Sequence, residues 1–90
     1  MKRVRVVIKG KVQGVFFRDN TKKLALKISV NGFVRNVQDY VEAVFIGEDE
    51  AVNKMLDFCS KGPEGAKVKL IELENYIGED IDDFKVKETV

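Results

Sequence analysis

The sequence predicts an α+β chain of order β-α-β-β-α-β with a short fifth strand at the end. Three observations carry this. Several segments alternate apolar and polar residues at the period of a strand, two repeat them at the period of a helix, and turn formers separate them. "RVRVVIKG", Arg3–Gly10, sets Arg3 and Arg5 against Val4, Val6 and Ile8, a half-buried first strand. A glycine loop follows, from Gly10 to Gly14. From Phe17 the apolar face falls at Phe17, Thr21, Leu24, Ala25 and Ile28, which is helical spacing. Val30–Asn36, with Val30, Phe33 and Val34, reads as a second strand. "VQDY" turns the chain, and Val41–Ile46 is a third strand. Ala51, Val52, Met55, Leu56 and Cys59 make a second amphipathic helix. "KGPEGA" stops it, because Gly62 suits the left-handed position after a helix and Pro63 cannot continue one. Val68–Tyr76 alternates as a fourth strand, and Phe84–Val86 is a short fifth.

Two β-α-β units in this order build a ferredoxin-like split sheet with both helices packed on one face. Right-handed crossovers make the first and second strands parallel, with the third between them. Their ends then lie at one edge of the sheet, about 10 Å apart at roughly 4.8 Å per strand. The glycine loop before Arg18 and the strand end at Asn36 become neighbours.

Ninety residues suit one domain, and residues 1–90 are read as a single unit. The net charge of +1, from 16 basic and 15 acidic residues, implies no broad basic face, so nucleic acid and membrane surfaces are not expected partners. The N-terminus lacks an apolar run of signal length, so a cytoplasmic location is expected. Cys59 is the only cysteine and cannot form an internal disulfide; it is expected in the core. There is no histidine, which removes histidine bases, nucleophile activators and metal ligands. Any chemistry runs on carboxylates, Lys, Arg, Tyr, amides or the backbone. The acidic segment "GEDIDD", Gly78–Asp83, reads as a solvated loop rather than a metal site, since no rigid spacing fixes its oxygens.

The stretch "KGKVQGVFFRDN", Lys9–Asn20, is the candidate site. A loop opening onto a helix N-terminus presents unpaired N–H groups, and Gly10 and Gly14 permit the positive φ angles that would let them converge on an anion. The helix dipole disfavours a cation such as Arg18 there by about 0.3–1 kcal/mol, and a bound phosphate reverses that sign. Arg18 keeps its charge at any working pH and can grip phosphate at two points. On the pattern alone the alternative stays open that Arg18 pairs with a neighbour such as Asp19 and serves only solubility. Gln13 is expected to support the loop, Lys11 to raise the local potential, Phe16 to anchor the loop and Phe17 to join the core. A stacking role for Phe16 against an acyl group is the lesser alternative.

The full string "IKGKVQGVFFR", Ile8–Arg18, resembles the N-terminal signature of the acylphosphatase family. "GFVRN", Gly32–Asn36, resembles its second signature, with Val41 and Gly47 at matching spacing, and "KGPEGAKV", Lys61–Val68, resembles its approach to the fourth strand. The resemblance spans nearly the whole chain. It implies a metal- and cofactor-independent enzyme that hydrolyses the carboxyl–phosphate bond of small acyl phosphates and also binds phosphate or sulfate. It further implies that Arg18 and the amides of Gln13, Gly14, Val15, Phe16, Phe17 and Arg18 hold the phosphoryl group, while Asn36 orients water. Family domains also occur inside larger carbamoyl-transfer proteins; this chain is read as a stand-alone monomer. The turn Val37–Tyr40 is one residue shorter than the family's usual glycine-containing turn. A shorter turn would rotate Asn36 or bring Tyr40 over the pocket mouth, and a catalytically idle anion sensor is then an alternative. An RNA-recognition version of the fold has little support beyond Phe45. A copper-chaperone version needs a second cysteine.

Overall fold

A computed structural model describes residues 1–90. Its elements are β1 (Lys2–Lys11), α1 (Phe17–Lys27), β2 (Asn31–Val37), β3 (Tyr40–Gly47), α2 (Asp49–Lys61), β4 (Lys67–Asn75) and β5 (Phe84–Val86). The five strands form one sheet in the order β4-β1-β3-β2-β5. β3 pairs antiparallel with both β1 and β2, so β1 and β2 run in the same direction. β5 joins the edge parallel to β2. Both helices pack on one face, the ferredoxin-like arrangement that the element order predicts. No helix is long and apolar enough to cross a membrane.

The alternation in β1 sets the two faces. Val4, Val6 and Ile8 are buried beneath the helices with Val41, Ala43 and Phe45 of β3 opposite them. From α1 come Phe17 and Ala25, and from α2 come Val52, Met55 and Cys59, at the spacings that put one stripe of each helix inward. Leu24 and Ile28 are only half-buried; Ile28 lies just past the end of α1, where its N–H caps the Leu24 carbonyl. Gly62 ends α2 at φ 75° and donates to the Phe58 carbonyl at 2.6 Å. Cys59 is fully buried, and desolvation pushes its thiol up to about 12, so it stays protonated and inert near neutral pH.

Gly10 is not a loop residue. It lies inside β1 at a register shift against β4, where Lys9 faces Leu70 but Gly10 faces Val68. Its φ is 131°, and a Cβ there would sit 2.1 Å from the Lys67 carbonyl oxygen. The glycine therefore serves a β-bulge rather than the anion loop.

The second face is closed in two ways. Tyr76, just before the acidic segment, and Ile81, within it, pack on Phe33, Val44 and Ile46. Asp80 of that segment pairs with Arg3, whose guanidinium also donates to the Gly78 carbonyl and lies over the Tyr76 ring. The acidic loop is thus a strap across the sheet. Beside it Glu42 is only 5% exposed and holds two cations, receiving Arg5 Nε and Arg35 Nε at 2.6 Å each. Burial alone would pull Arg5 down, but hydrogen bonds to Glu42 and Glu74 outweigh it and hold the guanidinium above its ordinary value. Removing this buried carboxylate leaves two partly exposed cations facing each other across the sheet. Glu42→Ala is therefore expected to lower unfolding stability by roughly 3 kcal/mol in a urea titration, with Glu42→Gln intermediate because it keeps the shape and loses the charge.

Candidate active site

The connection from β1 to α1 is too short to form structure of its own, and its backbone is committed to positive φ at two places. Gly14 has φ 73° with nothing within 4 Å of where a Cβ would be, so torsion rather than space demands glycine. Phe16 has φ 57° and ψ 28°, a left-handed conformation that a bulky residue adopts only under constraint, at a cost of order 1–3 kcal/mol. It occupies the position where a Ser, Thr, Asp or Asn would ordinarily cap α1, and no side chain caps that helix. None of the N–H groups from Gln13 to Arg18 donates to a main-chain acceptor. The loop is a run of donors at the positive end of a helix dipole with nothing in the chain to receive them.

These donors border a hollow of about 280 Å³ lined by Val12, Gln13, Gly14, Phe16, Phe17, Arg18, Asp19 and Asn36. Arg18 makes no ion pair, although Arg3, Arg5 and Arg35, the chain's other arginines, each have a carboxylate partner. The alternative of an Arg18–Asp19 pair is not what the structure shows: no N–O contact within 4 Å joins them. Asn36 enters from the end of β2. It faces Val41 across β3, so its side chain lies on the helix side of the sheet, and its main-chain carbonyl accepts from Val90 N–H at 3.0 Å. Its carboxamide makes no hydrogen bond to the protein. The hollow therefore gathers one unpaired guanidinium, one unpaired carboxamide and a row of unpaired amides, a set suited to a small tetrahedral oxyanion.

Gln13 takes the supporting part expected of it. Its Nε2 donates to the carbonyls of Gln38 and Tyr40 at 2.9 and 3.0 Å, tying the loop to the β2–β3 turn. That turn is a tight two-residue hairpin, with Val37 paired to Tyr40 and Gln38 at φ 54°. Tyr40 does not line the hollow; its ring lies 6.0 Å from the Lys9 ammonium on the opposite face. The short turn leaves Asn36 on the hollow.

One expectation needs correction. Phe16 does not anchor the loop by burial, since its side chain is 75% exposed at the mouth of the hollow. The Val15 side chain is half-buried against the core, which leaves its main chain, the part the resemblance implies, for a ligand. Lys11 points elsewhere, into a second concavity with Lys9, Asp39, Lys67 and Lys69. Sequence reasoning missed Asn20, whose N–H and Nδ2 both donate to the Phe16 carbonyl, at 3.0 and 2.9 Å. An Asn one turn into a helix, four residues after an unusual cap, was the available signal.

Comparisons with known proteins bear on the family and the fold. The acylphosphatase family model matches residues 4–86. An acylphosphatase of Syntrophus aciditrophicus is 52% identical over 89 residues, covering 96% of this chain and 92% of its own. One of Pyrobaculum aerophilum is 49% identical over 94 residues, covering 100% and 98%. The solved structure of an acylphosphatase from Coxiella burnetii superposes with a TM-score of 0.89 at 34% identity, covering 96% of this chain and 92% of that one.

The Gln13 strut generates an expectation of its own. Gln13→Ala should lower stability by about 1 kcal/mol and speed amide hydrogen exchange at Gln38–Tyr40, while exchange in the centre of β3 stays slow.

Proposed function

This chain belongs to the acylphosphatase family of hydrolases, and from that premise we propose that it cleaves the carboxyl–phosphate bond of small acyl phosphates using Arg18, Asn36 and the loop amides. The observation that carries the proposal is the unpaired state of Arg18 and Asn36 in a single hollow with the free N–H groups of the loop.

In this reading the phosphoryl oxygens sit against the amides of Gln13 to Arg18, Val15 contributing by its main chain alone, and the Arg18 guanidinium holds two of them. The Asn36 carboxamide accepts a hydrogen bond from water and aims its oxygen at phosphorus. Water adds as the bond from phosphorus to the bridging oxygen breaks. The products are a carboxylate, which keeps the bridging oxygen, and inorganic phosphate, with one proton released through a phosphoryl oxygen to solvent. A carboxylate leaves without protonation near neutral pH, so no general acid is needed, in keeping with a chain that has no histidine. A loose phosphoryl transition state asks little of a base and much of positioning and charge stabilisation. Fixed amide dipoles and a guanidinium supply both. Arg18 and the donors carry the charge work assigned elsewhere to a metal, and the reaction proceeds without one. All of these groups come from residues 1–90, which act in this reading as one unit on a small anionic substrate, with no partner chain, nucleic acid or membrane.

The test is hydrolysis of benzoyl phosphate and acetyl phosphate with a chelator present. Wild type should be active and insensitive to the chelator. Arg18→Ala and Asn36→Ala should each lose about 10²–10³-fold in kcat, the scale of one positioned donor. Equal rates in wild type and Arg18→Ala would remove the proposal.

A further inference from the structure

The hollow has one apolar surface that a ligand can reach. Of its three hydrophobic lining residues, Val12 and Phe17 are 1% and 2% exposed and belong to the core. Phe16 lines the hollow and is 75% exposed. Everything else on the rim is polar or glycine: Gln13, Gly14, Arg18, Asp19 and Asn36. The backbone that carries the ring is held. Asn20 donates two hydrogen bonds to the carbonyl of Phe16, which has φ 57°. Glycine or asparagine would take that backbone conformation with less strain. A phenylalanine kept there is strained, and it leaves a large apolar ring in water, a penalty that a bound apolar group would offset.

From this geometry we infer that the Phe16 side chain is the acyl-group contact and that it selects acyl phosphates with aromatic or bulky apolar acyl groups. The inference rests on the function proposed above and deepens it. With the phosphoryl group seated against the loop amides, that of Phe16 among them, the acyl carbon lies two bonds from phosphorus and must point away from the amides, towards the mouth. A ring or branched chain on that carbon meets the Phe16 ring in offset or edge contact. A methyl group is too short to cover it. The main-chain donor and the side-chain contact therefore come from one residue, but only the second reads the substrate.

The readout is the ratio of kcat/KM for benzoyl phosphate to that for acetyl phosphate, in wild type, Phe16→Gly and Phe16→Asn. Both replacements tolerate positive φ and keep the backbone N–H, so each removes the ring without demanding a new loop conformation. Wild type should favour benzoyl phosphate, and the ratio should fall about 5- to 10-fold in both variants, the scale of an aromatic contact. Benzylphosphonate should likewise lose more inhibitory strength than inorganic phosphate does. A ratio within 2-fold of wild type in both variants would overturn the inference and leave the activity itself standing. Failure of wild type to hydrolyse either compound would overturn the activity and this inference together.

Discussion

A row of amide donors and one guanidinium face a hollow in which no acceptor of the chain bonds them. Every other arginine is bound to a carboxylate, and buried polar side-chain atoms throughout the molecule find partners. Along the loop from Gln13 to Arg18 the donors are left unanswered beside an unpaired guanidinium. The concentration of unanswered positive potential at one helix N-terminus is tolerable because the hollow is open to water, and it becomes favourable when an oxyanion replaces that water. Catalysis by positioned charge requires this readiness, since the donors need not reorganise as the reaction proceeds.

The remainder of the fold holds that arrangement in place. β3 runs between β1 and β2 and so fixes how far the loop stands from Asn36. Gln13 ties the loop to the β2–β3 turn, and Asn20 ties it to the first turns of α1. On the opposite face, Glu42 with Arg5 and Arg35 joins the same three strands through charge rather than apolar packing. The strap carrying Tyr76 and Ile81 covers the far end of that face. The site thus rests on a sheet braced from both sides, while the groups facing substrate stay unbound.

Much of this was legible in the sequence because it depends on periodicity and chain order. The alternation in β1, the helical stripes of α1 and α2, and the glycine and proline that end α2 act over a few residues each. The parallel run of β1 and β2 follows from crossover handedness, and it brings residues 18 and 36 to one edge. What escaped depends on contacts between distant strands. Gly10 looks like part of the loop until its approach to the Lys67 carbonyl is seen. Glu42 does not stand out in the sequence, because its partners are arginines on two neighbouring strands. Phe16 reads as an apolar anchor, because a side chain's exposure follows from a left-handed torsion that one sequence does not announce. Asn20 has a partner four residues away, but only the geometry of the cap makes it a clamp.

The central claim is that the hollow is an oxyanion seat. A crystal structure of the protein soaked in phosphate tests it most directly. The account predicts a tetrahedral anion against the N–H groups of the loop, gripped by Arg18, with the Asn36 carboxamide beside it. An empty loop at saturating phosphate, with Arg18 turned outward onto Asp19, would contradict it.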